Sequence, residues 1–348
     1  MQTLVGQTTA EMEAIATAWG EPAYRGRQLA RWIYHRLVDS FDAMTDLPVR
    51  FRARLREEFD LSTCRICHTD DAPDGTRKYL LTLRDGETVE AVYLPYEDRV
   101  SVCLSTQVGC PVGCKFCATA QGGLARNLSA GEIVGQLLLL QADNPNRRIS
   151  HAVYMGMGEP LLNYDAVVRS IRLLIQEVGL SGRHLTLSTV GIVPGIRRLA
   201  EENLPITLAL SLHAPDDALR RTLIPTARKW KLAEILDACR EYHAKTRRNL
   251  TFEYLLLADV NDHPDQARQL AELLRDVPGN INLIPFNYVE TPEGFRRPDK
   301  HRIAAFRQTL ESCGRVVTQR MERGHAISAA CGQLRRSTIT LRAPTVGV

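Results

Sequence analysis

Three cysteines, Cys110, Cys114 and Cys117, follow one another at the spacing CxxxCxxC. Three thiolates at this spacing can fill three corners of a cubane iron–sulfur cluster and leave the fourth iron without a protein ligand. Structural metal sites are usually closed by four protein ligands, so the open position indicates that a substrate or cofactor completes the coordination. Glycines and a proline interrupt regular structure around the cysteines, and no histidine follows at zinc-finger spacing. The pattern therefore favours a cluster over half of a zinc site or a redox pair.

A second motif, Met-Gly-Met-Gly158-Glu159-Pro, ends the next predicted strand. Its glycines let the backbone approach a ligand closely, and Glu159 offers a carboxylate to an ammonium group. Polar groups also end later predicted strands, at Ser188, at Ser211-Leu212-His213 and at Asn287. Alone, each has an ordinary explanation, such as a turn-capping serine or a hydrogen-bonded structural histidine. Their shared position at strand ends indicates a common site, because catalytic residues of (β/α) barrels gather at the carboxyl ends of the strands.

The remaining residues must build elements that carry these groups to one edge. Residues 8–57 have apolar positions at helical spacing, and residues 78–83, 88–94 and 100–104 have the period of two that is typical of strands. After the cysteines, helices predicted at 129–142, 163–178, 231–246, 263–275 and 299–312 are interspersed with strands at 150–155, 184–189, 205–212, 250–257, 280–284 and 315–320. This succession predicts an α/β fold, a partial or full (β/α) barrel with a small N-terminal helical domain and a short sheet. The expected domains are residues 1–60, 61–98, 99–330 and 331–348.

Composition is consistent with a soluble enzyme, since 348 residues with 44% hydrophobic content can bury a large core. Nine cysteines, an odd number, favour a reducing compartment in which thiols act as ligands or nucleophiles. The longest apolar run, residues 137–140, is far too short to cross a bilayer, and the first residues do not resemble a secretion signal. We therefore expect a cytoplasmic protein without a membrane partner.

Positive charge is concentrated locally, although the net charge of +4 does not establish nucleic-acid binding. One group lies on the N-terminal helices and another near the C-terminus; their members are Arg25, Arg27, Arg31, Arg36, Arg50, Arg52, Arg54 and Arg56, and Arg320, Arg323, Arg335, Arg336 and Arg342. Arginine suits bidentate phosphate contacts, which makes both groups, with His325, candidates for RNA binding. The alternative for the N-terminal group is a set of solvated helix faces.

Four other cysteines do not indicate a functional site. The segment 64–68 matches the CxxCH pattern of covalent haem attachment, but that attachment normally implies export, and the segment has the pattern of an edge strand. We therefore interpret Cys64 and Cys67 as a chance match. Cys239 and Cys313 fall in predicted helices and are interpreted as core or surface thiols.

Several motifs together resemble the RNA adenine C2 methyltransferase family of radical S-adenosylmethionine enzymes. They are CLSTQVGC from Cys103 to Cys110, GMGEP, SLHAP from Ser211, IPFN ending at Asn287, and ACGQL around Cys331. The resemblance covers nearly the whole chain, and its two additional cysteines make it more specific than the cluster motif. The C8-methylating resistance enzyme Cfr is a sibling with the same cysteines, so the residues leave C2 and C8 methylation open.

The resemblance assigns a role to each matching residue. It implies a 4Fe–4S cluster on Cys110, Cys114 and Cys117, a methyl-carrying Cys331, a resolving Cys103 and the general base Glu90. The S-adenosylmethionine contacts fall on Gly158, Glu159, Ser188, Ser211, Leu212, His213 and Asn287. Without the family, Cys331 and Cys103 could equally be buried packing cysteines, and Glu90 could lie on the wet face of a strand.

An electron-poor adenine carbon cannot attack a sulfonium methyl as a nucleophile, so the reaction needs a detour. The resemblance implies that Cys331 takes a methyl from one S-adenosylmethionine, and that a radical from a second removes hydrogen from this methyl. It also implies a protein–RNA adduct that Cys103 resolves by forming a disulfide. The implied partners are 23S rRNA before full ribosome assembly, tRNA in some members, and an electron donor such as flavodoxin or ferredoxin. Alternatives are a non-catalytic iron–sulfur RNA-binding protein or redox sensor, and radical chemistry on a small molecule.

Overall fold

The chain begins with a bundle of three helices. A computed structural model describes residues 2–289, 293–320, 323, 327, 329 and 332–334. Its first elements are β1 (Gln2–Thr3), α1 (Thr9–Ala18), α2 (Tyr24–Tyr34), a short 3-10 helix (Phe41–Ala43), α3 (Val49–Glu58) and β2 (Phe59–Asp60). Thr8 starts α1 in a capping box, in which the Thr8 hydroxyl accepts from Glu11 N and the Glu11 carboxylate accepts from Thr8 N. The predicted helical region is therefore confirmed.

Four antiparallel strands follow and form one side of the main sheet. They are β3 (Cys64–Asp71), β4 (Arg77–Leu83), β5 (Thr88–Pro95) and β6 (Val100–Cys103), each paired with the next. Strand β3 lies at the edge of the sheet, as its sequence pattern predicted. Strand β5 is buried along both faces, since residues 88–94, which alternate between the two faces, are all buried. Its polar residues therefore do not face solvent.

Parallel strands continue the same sheet beyond β6. The elements are β7 (Gln107–Gly109), α4 (Ala118–Gln121), β8 (Leu124–Asn127), α5 (Ala130–Asp143), β9 (His151–Tyr154), α6 (Tyr164–Gln176), β10 (Leu185–Thr189), α7 (Val193–Glu201), β11 (Thr207–Ser211), α8 (Asp217–Leu223), α9 (Leu232–Thr246), β12 (Leu250–Leu256), α10 (Pro264–Leu273), β13 (Gly279–Pro285), α11 (Lys300–Ser312) and β14 (Val317–Gln319). Strands β6 and β9 to β14 are all parallel, so their carboxyl ends meet at one edge.

The sheet is open, which makes the fold a partial (β/α) barrel. Its order is β14-β13-β12-β11-β10-β9-β6-β5-β4-β3, so that β14 and β3 are its two edges. Amphipathic helices cover it: Val167, Ile171 and Leu174 of α6 recur every three or four residues and are buried. Burying each such side chain contributes about 1.5–3 kcal/mol.

The C-terminal segment approaches the opposite edge of the sheet. Arg323 Nη1 donates to Asp74 O at 3.3 Å, in the turn between β3 and β4, while Arg323 itself follows β14. Arg323 therefore lies beside the β3–β4 turn, although β14, which precedes it in sequence, is at the opposite edge of the sheet. No helix among the described residues has the length and apolar content to cross a membrane.

Sequence patterns predicted the alternation but not every element. Helix α7 lies between two strands that were predicted in direct succession, and its start, Val193-Pro194-Gly195, has the composition of a turn. Proline in the first helical turn loses no hydrogen bond, so it favours this helix start instead of breaking it. The seven-residue α8 and the β7–β8 hairpin were also not predicted, because neither is long enough to show a period. The division into four domains stays a prediction.

Candidate active site

A cavity inside the partial barrel brings most of the proposed site residues together. Its lining includes Cys103, Cys110, Cys114, Cys117, Gly158, Glu159, Ser188, Ser211, His213, Asn287, Arg320 and Arg323, together with Ala329, Gly332 and Leu334 from the C-terminal segment. These residues come from strand ends that are far apart in sequence. The shared position inferred from the strand pattern is therefore a shared cavity.

The cysteine loop is fixed by backbone hydrogen bonds from three sides. Cys110 N donates to Gly123 O at 2.8 Å, which closes the β7–β8 hairpin behind the loop. Lys115 N donates to Leu223 O at 3.0 Å, at the end of α8. Ala118 N, directly after Cys117, donates to Gly332 O at 2.8 Å. The loop is thus held in one conformation with its thiols toward the cavity.

The three thiols suit a cluster better than a single metal ion. Burial raises the pKa of Cys110 to about 12, and burial together with the neighbouring thiolates raises the pKa of Cys114 well above its usual value. Such thiols ionise only when positive charge joins them, and bound iron supplies it. No His, Cys, Asp or Glu triad in the described ranges could hold one metal ion, whereas each thiolate of a cubane binds its own iron. The donor set therefore fits a cluster.

Glu159 is the buried carboxylate of the site. Its exposed fraction is 3%, and its two oxygens accept from Val190 N at 2.9 Å and Leu161 N at 3.2 Å. Burial raises its pKa to about 7. A buried carboxylate of this kind gains most from a cationic partner, because desolvation penalises its charge when it is alone. The amino group of S-adenosylmethionine is such a partner.

Gly158 occupies a position that excludes a side chain. Its φ is +107°, and an added Cβ would lie 2.7 Å from both Thr106 Oγ1 and Gln107 Cβ. We expect Gly158→Ala to weaken S-adenosylmethionine binding at least tenfold, since the clash and the left-handed backbone must both be relieved by moving the loop. Isothermal titration of the reconstituted protein measures this. Gly86→Ala is the matched control, because Gly86 has φ +87° with nothing within 4 Å of the added Cβ and lies outside the cavity lining.

If Gly158→Ala binds the cofactor with wild-type affinity, close backbone approach is not a requirement of this site. The control separates backbone strain from the local clash, because an L-residue with positive φ costs about 1–2 kcal/mol at either position. Gly86→Ala is therefore expected to lower stability and leave affinity unchanged.

The other predicted cofactor contacts differ in how they reach the cavity. Ser188 Oγ and Ser211 Oγ lie 3.2 Å apart on adjacent strands. His213 Nδ1 accepts from Leu255 N at 3.0 Å, and burial with the nearby Arg220 charge lowers its pKa to about 3, so the ring is neutral. Asn287 Oδ1 is buried without a hydrogen-bond partner among the described residues, which is expected of an acceptor that awaits a ligand. Leu212 is fully buried outside the cavity lining and can contribute only through its backbone.

Glu90 and Cys103 lie on the same face of the sheet. Cys103 pairs directly with Val92, two residues from Glu90, and residues two apart on a strand share a face. Glu90 is 4% exposed and its Oε1 lies 3.3 Å from Lys78 Nζ. It is therefore not a wet-face carboxylate, although it does not line the cavity itself.

Cys331 lies outside the described residues, as do His325, Arg335, Arg336 and Arg342. The residues around Cys331 are nevertheless placed. Ala329, Gly332 and Leu334 line the cavity, Gly332 O accepts from Ala118 N, and Leu334 O accepts from the Thr119 hydroxyl. The chain on both sides of Cys331 is thereby brought to the cluster loop.

Two buried groups of the site were not predicted. Arg220 of α8 lies beneath the strand-end loops, and Glu253 of β12 lines the cavity and accepts from Asn282 Nδ2 at 2.8 Å. No sequence signal marked Arg220, which occupies an unpredicted helix. Glu253 is the acidic residue in an otherwise apolar predicted strand, and this was a usable signal.

Two family models match separate parts of the chain. Residues 104–273 match the model of the Radical SAM superfamily, and residues 2–61 match the ribosomal RNA large subunit methyltransferase N-terminal domain. A protein of Symbiobacterium thermophilum described as "Probable dual-specificity RNA methyltransferase RlmN" is 51% identical over 338 residues, which cover 96% of this chain and 91% of that protein. A Thermus thermophilus protein with the same description is 50% identical, covering 89% of this chain and 88% of its own length.

A solved structure agrees with this relationship. The radical SAM methyltransferase from Sphaerobacter thermophilus is 44% identical and superposes with a TM-score of 0.92, covering 96% of this chain and 99% of its own. The predicted fold class and family are confirmed. The chain belongs to the RlmN family of radical S-adenosylmethionine RNA methyltransferases, whose cofactors are a 4Fe–4S cluster and S-adenosylmethionine.

Proposed function

We propose that this enzyme methylates C2 of an adenosine in the peptidyl transferase centre of 23S rRNA. One observation carries the proposal: residues on both sides of Cys331 line the same cavity as the cluster cysteines and Cys103. A methylated thiol there would lie between cofactor and substrate. The choice of C2 rests on the family's prevailing activity, since the cysteines serve either carbon.

We assign the cluster to Cys110, Cys114 and Cys117, and the amino end of S-adenosylmethionine to Glu159. When bound, these cofactors supply a methyl group and, with one electron, a carbon radical that removes hydrogen. Ser188, Ser211, His213, Asn287 and the backbone of Gly158 and Leu212 orient the nucleoside part.

The chain's own residues carry the methyl to the base. Cys331 accepts the methyl on its sulfur, and after one hydrogen is removed the methylene carbon bonds to the adenine ring. The adduct would return one electron to the oxidised cluster that Cys110, Cys114 and Cys117 would hold, and Glu90 would accept the ring proton. The Cys103 thiolate then attacks the Cys331 sulfur, so that an S–S bond forms while the C–S bond breaks with its electron pair on the base, which takes a proton. A dithiol reductant restores both thiols.

Chemistry on a base edge requires an unstacked nucleotide, so recognition of single-stranded RNA is expected. The cavity reaches Tyr96, whose ring centroid lies 4.3 Å from Arg99 Cζ and 4.5 Å from Arg323 Cζ. Tyr96 belongs to the turn before β6 and lines the same cavity as the cluster cysteines. An aromatic ring with two guanidinium groups suits stacking of a base together with phosphate contacts.

The N-terminal arginines support RNA binding less directly. Arg27 pairs with Glu13, Arg56 with Asp42, and Arg54 lies 4.1 Å from the Trp19 ring. These contacts favour the alternative that much of this group lies on solvated helix faces and pairs with neighbouring side chains of the same bundle. We therefore place the main RNA contact at the Tyr96 turn.

Tyr96→Ala is expected to weaken binding of a single-stranded adenosine-containing RNA by about 5- to 150-fold, since loss of base stacking costs about 1–3 kcal/mol. Fluorescence anisotropy measures the affinity, and S-adenosylmethionine binding should not change. Tyr24→Ala is the matched control, because Tyr24 is 42% exposed and pairs with Arg25 at 4.8 Å on the N-terminal bundle. A loss with Tyr24→Ala alone would assign the RNA contact to the N-terminal helices instead.

The proposed setting is the cytoplasm, where nine cysteines stay reduced. We propose that 23S rRNA is modified before full ribosome assembly, that tRNA, at the adenosine next to the anticodon, is a second substrate, and that flavodoxin or ferredoxin donates the electron. Mass spectrometry of RNA from a deletion strain, with and without this protein restored, tests the function. Loss and recovery of 2-methyladenosine in 23S rRNA is expected. Recovery of 8-methyladenosine, or no modified nucleotide, would contradict the proposal.

A further inference from the structure

Arg220 is a fully buried guanidinium that joins two loops of the cofactor site. It is 1% exposed. Its Nε donates to Leu212 O at 3.1 Å, and its Nη2 donates to Val190 O at 2.5 Å and to Ser211 O at 3.2 Å. Val190 and Leu212 directly follow β10 and β11, and Ser211 is the last residue of β11. One side chain therefore fixes the spacing of the strand ends that carry Ser188 and Ser211.

The charge of Arg220 is not balanced by an ion pair. Within the described ranges, no carboxylate lies within 4.0 Å of its guanidinium, and its three hydrogen-bond acceptors are neutral carbonyls. Burial lowers its pKa to about 10, so it stays cationic near neutral pH. The Asp217 carboxylate on the same helix acts on this charge from beyond ion-pair distance and does not offset the effect of burial, and a buried cation without a close partner costs several kcal/mol. Such a group is retained where a bound negative species balances it.

The negative groups of the site are joined to Arg220 through shared contacts. Val190 O accepts from Arg220 Nη2, and Val190 N donates to Glu159 Oε2 at 2.9 Å. Lys115 N, next to Cys114, donates to Leu223 O of α8, the helix that carries Arg220. A loaded site would hold three thiolates and this carboxylate in a low-dielectric interior, and reduction of a cluster there adds one more negative charge. A nearby buried cation stabilises the reduced state more than the oxidised state.

We propose that Arg220 is a positioning residue that raises the reduction potential of the cluster while holding the β10 and β11 loops for S-adenosylmethionine. The inference rests on the cluster being bound and is independent of which RNA carbon is methylated. A purely structural clamp would require the three hydrogen bonds but not the charge. Variants that separate charge from hydrogen bonding distinguish the two roles.

The test is a redox titration of the anaerobically reconstituted cluster, followed by electron paramagnetic resonance. Arg220→Gln removes the charge and should shift the reduction equilibrium at least tenfold toward the oxidised state, which is a midpoint lower by ~59 mV for a one-electron couple. Arg220→Lys keeps the charge and should shift it less than tenfold. Both variants should bind S-adenosylmethionine more weakly than wild type, because both lose loop contacts.

Arg315→Gln is the matched control. Arg315 also donates to three backbone carbonyls, at Leu274, Val277 and Gly279, but these lie at the amino end of β13, outside the cavity lining. Its replacement should lower the thermal midpoint and leave the cluster potential unchanged. A wild-type potential in Arg220→Gln overturns the inference. If Arg220→Gln does not load a cluster, a tenfold shift in Arg220→Lys overturns it, because that variant keeps the cation. RNA methylation by the wild-type protein is measured in a separate experiment. A failure of the proposed methylation can therefore be distinguished from a failure of the proposed role of Arg220.

Discussion

Cys331→Ala is expected to reduce RNA methylation by about a thousandfold or more, to the detection limit. The ring carbon is electron-poor and cannot take a methyl directly from a sulfonium, so no slower polar route replaces the thiol carrier. The variant should still load its cluster, because Cys110, Cys114 and Cys117 are unchanged. Liquid chromatography with mass spectrometry of digested RNA measures the product.

Cys313→Ala is the control for this experiment. Cys313 is exposed at the end of α11 and lies outside the cavity lining, so its replacement should leave methylation at the wild-type level. Retained turnover in Cys331→Ala would exclude a methyl-cysteine carrier. It would favour radical chemistry that acts on the substrate directly.

Cys103→Ala is expected to accumulate a covalent protein–RNA complex during turnover, up to about one RNA per cluster-loaded chain. Without this thiol the bond between the Cys331 sulfur and the methylene carbon has no partner to break it. Cys103 is buried at the end of β6, lines the cavity and shares its face with Glu90, a position suited to attack on a thiol held nearby. A denaturing gel with labelled RNA detects the complex.

The double variant Cys103→Ala/Cys331→Ala should form no complex, because the carrier is also absent. Cys239→Ala is the matched single variant, since Cys239 is buried in α9 and lies outside the cavity lining. It should turn over without accumulating complex. Release of methylated RNA by Cys103→Ala at the wild-type rate would remove Cys103 from the resolving role.

The site was predictable from sequence where topology alone determines position. Carboxyl ends of parallel strands meet at one edge, so the strand pattern was enough to group Glu159, Ser188 and Ser211. The cysteine loop could be placed beside them because it follows the first of these strands. In the structure, Glu159, Ser188 and Ser211 line a single cavity.

Other parts depend on tertiary packing that local patterns do not encode. Alternation made Glu90 a candidate for the wet face, but β5 is covered on both sides and the residue is buried. Arg220 and Tyr96 lie in a short helix and a turn, where no period exists to signal their orientation. Their partners, Val190 O and Arg323, are distant in sequence and reach them only through the fold.

In the proposed reaction the methyl carbon passes through Cys331 and loses a hydrogen before it reaches the base. Turnover with S-adenosylmethionine that carries a trideuterated methyl group follows that hydrogen. We expect one deuterium in the released deoxyadenosine and two in the RNA methyl group. Three deuteriums in the RNA methyl, with none in deoxyadenosine, would contradict it.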